Sequence, residues 1–501
     1  MKFKNIFKTT QLTRPKENTF DLTHDIKLSC QMGKLIPVCT MEAVPGDKFN
    51  IGSDVMVRMA PMIAPVMHRL DVTIHYFFVP NRIVWDNWEN FITNQGTYDH
   101  PVILLTSLEP PPANTSKLLD YLGIPPFSTG TSTLISALPL AAYQAIYHEY
   151  YRDENLVPEF DYKVTDGFNA IAGTPLGQFR TRAWEHDYFT SALPWAQKGD
   201  PVNIPVTLEY IPQGSPRFET DLGVAPTGSV SQTGANNIQV GSTPNMYYNP
   251  DGSLVNSGTI NDLRRAYSLQ QWLERNARGG TRYIENILAH FGVRSSDKRL
   301  QRPEYICGQK SPIVISEVLN ATGETAGLPQ GNMAGHGISV SVDSTTSYYV
   351  EEHGYIMGIM SIMPKPAYQN GINRQWLKLD PLDYYWPSFA NIGEQEVLNQ
   401  EIFAYGPDPL GTFGYVPRYA EYKYQASRVA GDFRGNLDYW HLGRKFASQP
   451  TLSQEFIECD YEDFNTRIFA VGSNTEDQFY CQVLNKVMCR RPMPVYGTPI
   501  L

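Results

Sequence analysis

A fifty-residue stretch, residues 211–260, sets the main constraint on what this chain can fold into. It carries charge only at Arg217, Glu219, Asp221 and Asp251, is broken by seven glycines, and holds no run apolar enough to build a core. The flanking sequence is dense in aromatics and clear in periodicity. A long loop on a regular scaffold is expected to present a surface to a partner rather than to house small-molecule chemistry.

The scaffold reads as β-rich. Residues 35–44 are apolar and end at Pro45-Gly46-Asp47, a turn signal. Phe49, Ile51, Val55, Val57 and Met59 alternate through Gly52, which suggests a bulge. Leu70, Val72, Ile74, Tyr76 and Phe78 alternate with polar residues, the pattern of a half-buried strand. Further strands are expected at 338–342, 355–363, 464–471 and 478–488, and extended chain near Phe179 and at 202–210. Helices are expected at 85–92, at 137–152 with Ser136 as N-cap, at 261–277, and at 282–291 with Gly292 closing it; 95–132 and 320–337 read as loops. Strands at both ends with helices and long loops between them describe one antiparallel barrel or sandwich carrying insertions.

Charged residues make up 18% of the 501 residues, below the usual quarter. Either other subunits cover much of the surface, or Asn, Gln, Ser and Thr replace charge in a loop-rich protein. A net charge of −10 excludes a generally basic nucleic-acid binder. No apolar run is long enough to span a membrane. The six cysteines form no C-x-x-C and read as reduced, buried thiols.

Catalytic signatures are missing. There is no G-x-S-x-G, P-loop, H-E-x-x-H or dinucleotide fingerprint. His148-Glu149, His186-Asp187 and Glu351-Glu352-His353 suit hydrogen-bonding roles better than a dyad or a metal cluster. A β-sandwich carbohydrate-active enzyme or sugar-binding module is the competing class. It would need two carboxyls facing a cleft, and no pair stands out.

Positive charge is concentrated in two places. Lys2, Lys4, Lys8 and Arg14 precede the first acid in a basic arm, residues 1–24. Arg264, Arg265, Arg275, Arg278 and Arg282 lead a second cluster running to Arg302. Phosphate contact and ion pairing, within the chain or with another subunit, both account for it, since the guanidinium fork suits carboxylate and phosphate alike.

Long ordered blocks then resemble one family. SALPLAAYQAIYHEYYRDENL (136–156), HDYFTSALPWAQKG (186–199), LQQWLERNARGGTRYIENILAHFGVRSSDKRLQRPEY (269–305), EEHGYIMGIMSIMP (351–364) and FANIGEQEVLNQEIF (389–403) are similar to the major capsid protein of microviruses, small tailless single-stranded-DNA phages, closest to the gokushovirus branch. The resemblance implies a viral antiparallel β-jelly-roll barrel with long, partly helical insertions, occupying residues 25–501. It implies no enzymatic activity and no cofactor or metal. It implies a T=1 icosahedral homo-oligomer with pentameric and trimeric contacts around a circular single-stranded DNA genome, and a virion assembled in the host bacterial cytoplasm. Implied partners are a small basic DNA-packaging protein, internal scaffolding and pilot proteins, and a host cell-surface receptor. Residues 211–260 stand where the family has a three-fold surface protrusion, with Asn236, Asn237, Tyr247, Tyr248 and Asn249 as candidate contact residues.

Overall fold

The computed structural model describes residues 16–105, 114–126, 132–200, 202, 208–212, 217–220, 230–233, 237–240, 246–249, 252–256, 259–319, 332–342, 344–459, 467–471 and 476–496. Residues 197–279 form a compact unit of their own, and the rest of the chain forms another.

The larger unit is built on one curled antiparallel sheet. Its strands are β1 (Asn18–Asp21), β2 (His24–Cys30), β3 (Ile36–Ala43), β4 (Lys48–Met59), β5 (Leu70–Pro80), β6 (Glu304–Leu319), β7 (Met333–Val342), β8 (Thr346–Tyr349), β9 (Gly354–Pro364) and β10 (Phe479–Arg491). The order is β1-β10-β4-β7-β6-β5-β9-β3, with β2 also on β10 and β8 on β4. Strands consecutive in sequence, such as β4 and β5, lie apart in the sheet, which is the jelly-roll kind of connection. β6 makes the corner: Ile313 pairs with Leu70 of β5, and the next residue, Val314, pairs with Ile338 of β7. The two ends of the path approach each other, because Asn485 of β10 donates to the Val38 carbonyl of β3 at 2.8 Å and Arg491 donates to the Glu42 carbonyl at 3.1 Å.

Period-two patterning produces the inner face. In β4, Phe49, Ile51, Val55, Val57 and Met59 are buried; β10 answers with Phe479, Cys481, Val483, Val487 and Cys489. Each such side chain contributes roughly 1.5–3 kcal/mol on burial, which holds the two strands in one register. Gly52 does not mark a bulge, for it pairs with Lys486 in an unbroken ladder; a Cβ there would stand 3.1 Å from the Ser344 carbonyl oxygen. β5 is buried on both faces rather than half-buried, because Leu138–Ile146 (α1) packs on this sheet and is itself buried nearly all round. The N-cap of α1 is Ala137, and Ser136 only accepts from the Leu138 N–H at 3.3 Å. A π-helical turn, Tyr147–Tyr151, continues it.

Three expectations for this unit need correction. Residues 95–132 are not all loop, since Val102–Leu105 pairs with Thr133–Ser136 and Asn114–Tyr121 is helical. The 85–92 helix is two short pieces, Asn81–Val84 and Trp88–Ile92. The described part of 464–471 makes only an isolated bridge, Met62 to Phe469. Tertiary contacts decide such short runs.

The second unit holds Ile260–Gly279 (α2) and, before it, paired strands where the sequence reads as loop. Leu208–Pro212 pairs with Gly252–Asn256, Arg217–Thr220 with Met246–Asn249, and Val230–Thr233 with Asn237–Val240. These are three nested antiparallel ladders of four or five residues each. Runs so short, separated by Gly, Pro and Asn, are below the length at which alternation can be read. The helix Tyr283–Phe291 (α3) follows in the larger unit and ends at Gly292 with φ 67°.

Candidate functional site

The three catalytic or metal candidates are absorbed by structure. His148 Nδ1 lies 2.9 Å from Glu149, which also faces Arg302 at 3.6 Å. Burial works upward on the Glu149 carboxyl, but the His148 hydrogen bond and Arg302 outweigh it and hold it below the usual carboxylate range. Asp187 accepts from the backbone N–H of Phe189 and Thr190, from the Thr190 hydroxyl at 3.0 Å and from the Tyr368 phenol at 2.6 Å, forming a turn clamp, while His186 is exposed. Glu352 takes a bidentate pair from Arg82 at 2.6 and 3.0 Å, Glu351 pairs with Lys298, and the His353 ring rests against Trp88. Among the described residues no three His, Cys, Asp or Glu side chains converge as metal ligands. Five of the six cysteines are buried.

The basic cluster divides. Arg264, Arg265 and Arg275 are exposed on α2, and Arg278 at its end is partly covered. Arg282 instead turns into its own unit, pairing with Glu154 at 2.6 Å and donating to the carbonyls of His148 and Arg152. Arg302 does the same, lying between Glu149 and Asp297 with its guanidinium 4.6 Å from the Tyr150 ring centroid. The sequence cannot separate these behaviours, because beside the local acids Glu285 and Asp297 each arginine meets one from far upstream, Glu154 or Glu149. Lys2, Lys4, Lys8, Arg14 and Asn236 lie outside the described residues. Asn237 sits in the strand Asn237–Val240, and Tyr247, Tyr248 and Asn249 in Met246–Asn249.

What the sequence reading missed is a set of exposed apolar surfaces. α2 leaves Ile260, Leu263, Tyr267 and Trp272 in solvent, and α3 leaves Tyr283 and Phe291. In the larger unit a run of short 3₁₀ turns between Arg374 and Phe389 exposes Trp376 (71%), Leu379 (91%), Leu382 and Trp386. Tyr405 is 93% exposed. The outer faces of β6 and β7 add Val314, Val318, Val340 and Val342. Single exposed apolar residues are ordinary, but contiguous ones mark surfaces that a partner covers. The signal was present as the aromatic density of 376–389, set beside low charge.

Residues 6–501 match the family model described as Capsid protein (F protein). The chain is similar to "Capsid protein VP1" of Chlamydia phage 1, 33% identical over 99% of this chain and 97% of that protein. It is also 35% identical to "Capsid protein VP1" of Bdellovibrio phage phiMH2K over 88% of this chain and 87% of that one. A third "Capsid protein VP1", from Spiroplasma virus 4, is 29% identical over 99% and 96%.

Proposed function

The chain belongs to the phage capsid protein (F protein) family, and from that premise, as the major capsid protein of a microvirus-like phage and a virion component rather than an enzyme, we propose that its copies close into a T=1 icosahedral shell around a circular single-stranded DNA genome. The observation that carries this reading is the exposed apolar surface of the isolated chain, at α2, at 376–386 and on the outer faces of β6 and β7. Repeated heterologous contacts around symmetry axes bury such surfaces and close a shell. A chain of net charge −10 cannot neutralise the enclosed DNA unaided, so a small basic packaging protein shares the interior. Internal scaffolding and pilot proteins and a host receptor complete the set of partners.

Residues 211–260 form the three-fold protrusion that meets the host surface. Support comes from their position as an insertion within a unit of their own and from their composition, low in charge and rich in Gly, Ser and Asn. Arg264, Arg265 and Arg275 contact DNA or a neighbouring subunit through exposed guanidinium groups, the partly covered Arg278 does so beside them, and Lys2, Lys4, Lys8 and Arg14 do so from the basic arm. For Arg282 the ion pair with Glu154 favours a contact that orders its own chain.

Sedimentation and electron microscopy of the expressed chain test assembly: closed particles are expected, and a chain that stays monomeric at every ionic strength contradicts it. Replacing residues 215–258 by a short Gly/Ser bridge tests display. Assembly is expected to persist and attachment to cells to be lost, and the reverse result would remove the display role.

A further inference from the structure

One cavity in the larger unit has a chemistry that the shell's mechanics do not require. It lies among residues 66–69, 365–367, 427–433 and 440–441 and measures about 450 Å³. Arg69, Lys365 and Arg428 line it together with Phe433 and Trp440, and no carboxylate does. Lys365 is already committed, to Asp71 at 3.1 Å and to Glu185. Arg69 and Arg428 are exposed, and no carboxylate among the described residues pairs with either.

His68 is neutral at neutral pH and adds no charge to the cavity, so the positive charge there is that of the arginines and Lys365. Burial lowers His68 to about 4; the hydrogen bond to the Lys365 carbonyl works against that, while charge from His441, Arg467 and Arg69 adds to it. Phe433 faces the His441 ring at 6.0 Å, whereas half-buried Trp440 has no ring partner among the described residues. Another aromatic cleft of this unit, about 300 Å³ around Tyr188, Tyr368 and Trp376, is lined by Glu401 and Glu421 as well as by arginines, and its Glu401 is already paired with Arg374 at 2.9 Å.

We propose that this cavity holds one nucleotide of a single-stranded nucleic acid, with its phosphate between Arg69 and Arg428 and its base against Trp440. Two free guanidinium groups beside an unpaired indole are what a strand offers partners to, one charge and one π-face per residue. The assignment rests on the reading that the shell encloses single-stranded DNA. A free mononucleotide presents the same chemistry, so both sources enter the test.

The unassembled full-length chain is titrated with a fluorescent thymidine 20-mer and, separately, with thymidine monophosphate. The R69A/R428A variant is expected to bind the 20-mer at least about tenfold more weakly, with a log K against log salt slope shallower by about 0.7, the share of one single-strand phosphate contact. R69K/R428K should recover most of the affinity, and W440L should weaken binding by about tenfold through loss of the stack. Thermal melting confirms that each variant folds, and W440L carries the test if the arginine variant does not. Unchanged affinity and salt slope in both variants overturns the proposal, and equal affinity for thymidine monophosphate and the 20-mer reassigns the cavity to free nucleotides. DNA content of wild-type particles separates the two levels. Particles without DNA end the genome-enclosing reading, whereas DNA-filled particles with unaltered variant binding end only this assignment.

Discussion

The Tyr76 phenol of β5 donates to Asn485 Oδ1 of β10 at 2.6 Å, joining two strands 409 residues apart across the barrel interior. Asn485 is fully buried and opposes Ser53, which accepts from Gln309 of β6 at 2.7 Å. A polar layer thus runs through an apolar core, and its geometry specifies how the two halves of the sheet face each other. In Tyr76→Phe the Asn485 oxygen loses this donor without gaining water. The expected loss is about 1–3 kcal/mol in urea unfolding of the unassembled chain. A loss within error would mean the layer is slack.

Gly33 has φ +78°, and a Cβ there would stand 2.0 Å from the Cys459 carbonyl oxygen. Gly33→Ala is expected to abolish soluble expression, because backbone, not a flexible side-chain tip, is in the way. Gly431, with φ +69° and open space around it, is the control. Gly431→Ala should cost only the left-handed strain, roughly 1 kcal/mol, and express normally. Equal yields would show that the 33–459 contact can open.

His75 on β5 sits against the Tyr151 hydroxyl at 2.7 Å, and burial, with Arg182 adding to it, lowers its pKa to about 4. The unfolded chain therefore binds this proton between about pH 6.5 and pH 4 while the folded chain does not. The corresponding stability is complete above that window and is lost as pH falls through it, with a slope of up to about 1.4 kcal/mol per pH unit. His75→Gln should flatten the fall in melting temperature between pH 7 and pH 5 by that share. An identical pH profile for wild type and variant would show that His75 titrates normally.

Among the described residues, Leu379 and Tyr405 are the two most exposed of the large apolar side chains. Leu379→Asp and Tyr405→Asp should leave the circular dichroism and melting temperature of the unassembled chain within error. If copies of the chain cover these surfaces, particle yield should fall at least about tenfold, as judged by sucrose-gradient sedimentation. Normal particles from both variants would place the subunit contacts elsewhere.

Arg264, Arg265 and Arg278, replaced together by Glu, separate the two roles open to α2. Reduced DNA per particle with normal particle number identifies phosphate contacts, with the deficit relative to wild type narrowing as salt rises. Normal DNA content in a few surviving particles identifies the same arginines as contacts between subunits.

Much of the barrel was legible because its strands are long enough for a period of two to declare itself. β4, β5, β9 and β10 run 11 to 13 residues and were expected as strands; the inward residues of β4 can be named from the sequence, whereas β5 and β9 are buried on both faces. The nested ladders within 208–256 were not legible, since strands of four or five residues between turn residues give alternation no room. The cavity at Arg69, Arg428 and Trp440 was invisible for another reason. It joins residues more than 350 positions apart, none of which forms a local motif.

By itself the sequence determined the family, the β-rich class, the inward face of β4 and the want of catalytic chemistry. All of these follow from local spacing or from long ordered blocks. Only the tertiary structure decided which arginines are neutralised and which stay free. Arg282 meets Glu154 while Arg265 meets solvent, although both belong to one basic run. A charge acquires its role from whatever folding brings within a few ångströms of it, and that neighbour is set by strand order and packing rather than by sequence distance.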